Sequence, residues 1–134
     1  MSRDDATLLD LLRAARLAVH FKGTLDREGF LEDPKTQSSI LHQLLVLGEA
    51  TKRLTEAFRS NHPEIPWKQI AGMRDILIHS YDDVDLLEVW KAVDSDVPRL
   101  IALLEPLAPN ERYISLGSIA YDSWIYELIF HCHR

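Results

Sequence analysis

Cysteine is almost missing from this chain. Cys132 stands alone, so no internal disulfide can form, and a small domain without such staples fits a reducing compartment. Long apolar runs are missing too, since no stretch reaches the ~20 residues that a helix needs to cross a bilayer. The opening Met1-Ser2-Arg3-Asp4-Asp5 carries acids where a secretory leader has bases ahead of an apolar segment. We therefore expect a cytoplasmic protein with no membrane association. There is no H-E-x-x-H, no paired C-x-x-C and no G-x-x-x-x-G-K, which removes the usual anchors for zinc and P-loop chemistry. His131-Cys132-His133 offers three potential ligands in a row, but without a second cluster at suitable spacing no metal site is expected. No cofactor is implied.

What is there suits one domain. The 134 residues are 46% apolar, which is too hydrophobic for a disordered chain. A formal net charge of −6 argues against a general nucleic-acid binder. The charge is uneven, however. Residues 51–74 hold Lys52, Arg53, Arg59, Lys68 and Arg74 against Glu56 and Glu64. Residues 75–96 hold Asp75, Asp82, Asp83, Asp85, Glu88, Asp94 and Asp96 against Lys91. An RNA-facing surface needs the basic residues to converge in space; otherwise these are two solvated helix faces.

Strand-type alternation and internal repeats are absent, and the periodicity is helical. Ser2-Arg3-Asp4-Asp5 is a capping-box variant. Leu8, Leu12, Ala15 and Val19 then recur at helical spacing, predicting a helix from about Asp4 to Phe21 with Gly23 near its end. Residues 24–33 mix apolar and acidic types and stay unassigned. Pro34 suits a helix start, and a long helix to about Ser60 follows. Its stripes, Ile40-Leu44-Leu47-Leu54-Phe58 and Leu41-Leu45, cover so wide an arc that burial on two sides is expected, one against the core and one against a partner chain. Gly48 at its centre costs about 1 kcal/mol relative to alanine, which close approach of a neighbouring helix backbone would offset. His62-Pro63-Glu64-Ile65-Pro66 is a connection. A third helix runs from Trp67 to about His79. Asp85 and Glu88 read as N-cap and N3 of a last helix carrying Leu86, Val89, Trp90, Val93, Val97, Leu100 and Leu104. Pro98 kinks it, and Pro106 and Pro109 stop it. The fold class is all-α, an antiparallel bundle of four to five helices over residues 1–106. Residues 107–134 form an extension whose Tyr121–Phe130 run is either a further helix or a hydrophobic tail.

The chemistry-bearing segment is Arg74-Asp75-Ile76-Leu77-Ile78-His79-Ser80-Tyr81, an R-x4-H-x-Y pattern. Five residues of α-helix turn the chain about 500°, which leaves Arg74 and His79 about 140° apart. They share no face of a regular helix. Cooperation between them requires a distorted helix near His79 or a second chain, and the predicted helix end at residues 79–82 supplies the distortion. Arg74 and Tyr81, seven apart, share a face if the helix continues. The unspecialised alternatives are an Arg74 paired with Asp75, Asp82 or Asp83, a helix-end His79 and a half-buried Tyr81.

The pattern and its surroundings together resemble the HepT-like members of the HEPN superfamily. Leu47-Gly48-Glu49-Ala50 resembles the G-E-A segment of that family's long helix. Ile65-Pro66-Trp67 with Ile70-Ala71-Gly72-Met73-Arg74 resembles the approach to its motif, and Trp90 with Pro98-Arg99-Leu100 its closing helix. The resemblance covers about residues 5–106. One departure is Asp75, where the family often has asparagine, an extra carboxylate that weakens phosphate binding. The resemblance implies a metal-independent endoribonuclease in which the ribose 2′-oxygen attacks the adjacent phosphate. His79 serves there as general base or acid, Arg74 stabilises the phosphorane, and Asp75 and Ser80 support the site. Lys52, Arg53 and Lys68 are candidate RNA contacts, and Glu49 is read as structural, hydrogen-bonding another helix. It also implies a two-fold homodimer, a nucleotidyltransferase antitoxin as partner, and AMPylation of Tyr81 by that antitoxin, adding charge beside the site. The rival readings are a non-catalytic nucleotide- or substrate-binding subunit of a nucleotidyltransferase, and a structural helical adaptor.

Overall fold

Ser2 opens the first helix, α1 (Arg3–Lys22), of a computed structural model that describes residues 2–109. The run Tyr121–Phe130 and the triplet His131-Cys132-His133 lie outside the described residues. The Ser2 hydroxyl accepts from the Asp5 N–H, and the Asp5 carboxylate accepts from the Ser2 N–H, both at 3.1 Å. Two donors that have no helical partner are thereby satisfied. Gly23 closes the helix at φ 55°, a conformation in which a side chain would be strained. Leu8, Leu12 and Ala15 are buried as their spacing predicts, but so are Leu11, Ala14, Leu17 and Ala18. The first helix is thus enclosed on more sides than its stripe implied.

The unassigned residues 24–33 contain α2 (Arg27–Leu31), capped by Asp26, whose carboxylate accepts from the Gly29 N–H at 2.8 Å. Phe30 is fully buried, and the Gln37 amide donates to the carbonyls of Phe30 and Leu31 at 2.9 and 3.1 Å. Gln37 belongs to α3 (Pro34–Arg53), which starts at its proline and is capped by Asp33. The long helix expected to reach Ser60 stops early. Leu54 is extended, and Thr55 caps a separate α4 (Glu56–Asn61). The cause lies at the far end of the sequence: the Asp4 carboxylate accepts from the Thr55 N–H at 2.9 Å and from its hydroxyl at 2.6 Å. Thr55 Oγ1 in turn accepts from the Phe58 N–H at 3.2 Å. A side-chain cap of this kind competes with continued helix, and here it also lets Leu54 turn into the core.

The next helix, α5 (Trp67–His79), has the predicted bounds. The Trp67 indole N–H donates to the carbonyls of Arg59 and His62 at 3.1 and 2.9 Å, which fixes the proline-rich connection and with it the start of α5. After a 3-10 turn (Tyr81–Asp83), α6 (Leu86–Lys91) begins at the Asp85 cap and passes through a π turn (Ala92–Asp96) into α7 (Val97–Leu104). The disturbance expected at Pro98 takes this form. Proline has no N–H for the carbonyl four residues back, and one extra residue in the preceding turn absorbs the mismatch; the Val97 N–H bonds the Ala92 carbonyl.

Ion pairs report the helix directions. Arg53–Asp10 at 3.5 Å ties the end of α3 to the first half of α1, while Arg16–Glu105 at 2.9 Å and Lys22–Asp94 at 3.0 Å run α7 and the π turn back along it. The result is an antiparallel all-α bundle. Its core joins Leu8, Leu11 and Leu12 to Ile40, Leu44 and Leu47, to Ile70 and Leu77, and to Val93, Val97, Leu100 and Leu104. Each such buried side chain contributes roughly 1.5–3 kcal/mol. Trp67 joins the core, whereas Trp90 is half-buried against Phe30, ring centroids 5.7 Å apart. No helix among the described residues is long and apolar enough to cross a membrane.

Candidate active site

Gly48 sets the distance between α3 and α5. A Cβ built there would overlap the Arg74 Cβ and lie 3.1 Å from the Ile70 carbonyl oxygen and 3.2 Å from the Arg74 Cα. The backbone approach expected from a mid-helix glycine is therefore present, and its counterpart is Arg74 itself. With its stem held against α3, the guanidinium lies between two carboxylates. Its Nε donates to Glu49 Oε1, and a terminal nitrogen donates to Asp75 Oδ1 at 3.1 Å. The same Asp75 oxygen accepts from Lys52 Nζ at 2.6 Å. Asp75 and Glu49 push the proton affinity of Arg74 above its ordinary value. Lys52 first, then Arg74, hold the Asp75 carboxyl below the usual carboxylate range. The four side chains are between 26% and 49% exposed. Pairs so open to water add little to stability, and their arrangement matters more for what the guanidinium can bind.

His79 goes elsewhere. The helix stays regular from Trp67 through His79, so the distortion that would have turned His79 toward Arg74 is absent. The break comes one residue later, at Ser80 (φ −131°, ψ 35°). Within one chain the two side chains diverge by the full helical angle of about 140°. His79 and Ser80 are exposed, and no hydrogen bond or ion pair ties the His79 imidazole to another described side chain. Tyr81 starts the 3-10 turn, so the shared helical face with Arg74 that continuation would have produced does not form. The exposed residues flanking His79 are mixed, with Asp75 one turn before it and Ser80, Asp82 and Asp83 after it beside apolar side chains. Ile76, one turn before it, is 64% exposed, Ile78 is 44% exposed, and Leu87 at the start of α6 is 53% exposed.

The candidate RNA contacts separate. Lys52 joins the Arg74 cluster. Arg53 turns to Asp10 on α1. Lys68 is exposed in the first turn of α5, roughly 9 Å along the axis from Arg74. Glu49 bonds across to another helix, as its structural reading held. The Lys52–Asp75 pair escaped the sequence because it joins residues 23 apart; the only signal for it was Gly48, which marks where α3 meets α5 one turn before Lys52. An apolar cleft of about 330 Å³ between α5 and α7, lined by Leu47, Ile70, Met73, Val97 and Leu100, includes neither Arg74 nor His79. Among the described residues no three His, Cys, Asp or Glu side chains gather as a metal site.

Residues 11–107 match the family described as Ribonuclease HepT-like. The chain belongs to this family. It is 42% identical over 100 residues to a "Probable ribonuclease HepT" of Thermococcus cleftensis, a match covering 75% of this chain and 91% of that protein. It is 34% identical over 102 residues to "Putative RNase MJ1380" of Methanocaldococcus jannaschii, covering 75% and 94%. No solved structure matches. The HepT-like match includes every residue of the Arg74 cluster and the whole of α5, and it ends with the 3-10 turn Glu105–Leu107 that follows α7.

Proposed function

We propose that this HepT-like protein is a metal-independent endoribonuclease toxin that acts as a two-fold homodimer. One observation carries the reading: Arg74 and His79 leave the same regular helix on different sides, and that helix also carries an exposed apolar surface at Ile76 and Ile78. A second copy covering Ile76, Ile78 and Leu87 would bury that surface and set one chain's His79 against the other chain's Arg74, an isologous contact that builds the site.

The chemistry follows from the two groups. The 2′-oxygen of a ribose loses its proton to one imidazole and attacks the neighbouring phosphorus. The P–O5′ bond breaks, the departing 5′-oxygen is protonated, and a 2′,3′-cyclic phosphate remains. An imidazole can take and return protons near neutral pH. The guanidinium donates charge-assisted hydrogen bonds to the phosphoryl oxygens as negative charge builds on them.

Control of this activity rests with a partner nucleotidyltransferase. It transfers AMP from ATP to the Tyr81 hydroxyl, releasing pyrophosphate, and leaves a phosphate and a nucleoside two residues from His79. Negative charge and bulk at that point repel RNA. Lys52 supplies further positive charge for the RNA backbone.

Purified protein incubated with RNA in EDTA should produce fragments ending in cyclic phosphate, and Arg74→Ala and His79→Ala should not. Intact mass after co-expression with the nucleotidyltransferase should rise by adenylate increments that Tyr81→Phe removes. Tight nucleotide binding with no cleavage by the unmodified protein would replace this reading with that of a non-catalytic binding subunit.

A further inference from the structure

The anion that the Arg74 site is built to hold already has a stand-in. Asp75 Oδ1 accepts from Lys52 Nζ at 2.6 Å and from a terminal Arg74 nitrogen at 3.1 Å. One oxygen thus bridges a cation on α3 and a cation on α5. We propose that Lys52 and Arg74 form a two-cation subsite for an RNA phosphate, and that Asp75 is an internal anion that occupies it until substrate displaces it. This rests on the ribonuclease reading and adds a second phosphate ligand and a resident competitor.

The two carboxylates around Arg74 hold it differently. Glu49 reaches the Nε edge from the neighbouring helix and orients the guanidinium, while Gly48 fixes the stem beneath it. Asp75 takes a terminal nitrogen, the edge that points away from the stem and that a phosphate would use. A phosphate oxygen put in place of Asp75 Oδ1 meets two positive charges within hydrogen-bond reach and leaves the Glu49 contact intact. Asp75 is about half exposed on its side chain, so its carboxylate can swing into water without leaving a buried charge behind. The quartet of Lys52, Arg74, Glu49 and Asp75 is neutral as it stands. With Asp75 swung aside, the remaining three groups carry one net positive charge at the place where a phosphate arrives.

The test measures binding apart from cleavage. The probe is a fluorescent 2′-O-methyl RNA oligonucleotide, whose blocked 2′-oxygen cannot attack, titrated into the full chain at low salt. Asp75→Asn keeps the shape and removes the competing charge. It should tighten binding by about five-fold, the factor for one unit charge a few ångströms away in a water-like medium. Glu32→Gln removes an equal charge near the start of α3, roughly 20 Å away, and should change binding much less. Lys52→Ala should weaken binding and, combined with Asp75→Asn, cancel most of the gain.

Three results overturn the proposal: an Asp75→Asn protein that binds no tighter than wild type, a gain equal to that of Glu32→Gln, or a gain that survives Lys52→Ala. The first says that Asp75 only orients Arg74, the second that bulk charge alone acts, the third that Lys52 is not a ligand. Circular dichroism and thermal melts of each variant separate these from misfolding. Failure of wild-type protein to cleave unmodified RNA would instead sink the ribonuclease reading, whatever the binding series gives.

Discussion

A site shared between two chains makes an unusual demand on inactive variants: two that are dead alone should be alive together. Arg74→Ala removes the guanidinium and leaves His79, and His79→Ala does the reverse. Each homodimer should lose about 10²–10⁴-fold in rate, the range for a missing phosphoryl donor or general acid–base group. Their heterodimer differs. Across a two-fold axis one arrangement lacks both groups, and the other keeps one chain's Arg74 and its partner's His79. Random pairing at equal concentration makes half of the dimers mixed, each with one of two arrangements intact, so the mixture should reach about a quarter of wild-type activity. The structure motivates the crossing. Within one chain α5 is regular from Trp67 to His79, and the two side chains point about 140° apart. The assay is cleavage of a fluorescent RNA after the variants are unfolded together and refolded, with native mass spectrometry to count heterodimers. A mixture that contains heterodimers yet cleaves no faster than its parents would refute the shared site, because a site within one chain predicts no rescue at any ratio.

Other perturbations reach the same architecture from different sides. Gly48→Ala gains about 1 kcal/mol of helix propensity but forces a Cβ into Arg74. Overpacking of that kind costs typically 1–3 kcal/mol, so urea unfolding should show a net loss of up to about 2 kcal/mol, together with reduced RNA cleavage as Arg74 shifts. Ile76→Glu puts a charge on a side chain 64% exposed on the single chain; circular dichroism should still show a folded helical protein while analytical ultracentrifugation finds monomer and RNA cleavage disappears. Acid should weaken the break between α3 and α4. The Thr55 hydroxyl first, then its N–H, lower the Asp4 carboxyl below its ordinary value of 3.8. A lowered folded value means that the stabilisation is fully present above the ordinary pKa and is lost as pH falls through the folded one. Asp4→Asn should therefore be less stable than wild type in urea at neutral pH, and the two curves should converge in strong acid.

Legibility in the sequence followed the range of the interaction. The bounds of α1, the Asp85 cap and the proline start of α3 rest on residues within four of one another, and the spacing of types alone reveals them. The end of α3 does not. Periodicity runs through Leu54 and Phe58 without a fault, and the interruption depends on Asp4, 51 residues away. The small helix α2 escaped for a related reason: Phe30 carries it into the core, and Gln37 of α3 holds its end. Pro98 announced a disturbance, but whether a helix kinks or inserts a π turn depends on what packs against it, and Val93 within the π turn and Val97 just after it are both buried.

The candidate site divides in the same way. That Arg74 and His79 belong to one motif is visible in the chain, and so is the angle that keeps them apart, since it follows from the pitch of a helix. What the chain does not reveal is which of the two remedies for that angle operates. The sequence offers a distorted helix end at residues 79–82 as the nearer answer and a second subunit as the other. The regular path of α5 removes the first, because Ser80, not His79, is the residue that departs from the helix. The surface around His79 then supplies a reason for the second. Ile76 and Ile78 are exposed on the helix that carries His79, and Leu87 is exposed at the start of α6. A monomer gains nothing from leaving them in water, whereas the proposed dimer would gain their burial and the pairing of Arg74 with His79 through the same contact. Association and activity should therefore fail together in Ile76→Glu, and they should separate in Arg74→Ala, which keeps the apolar surface and loses only the chemistry.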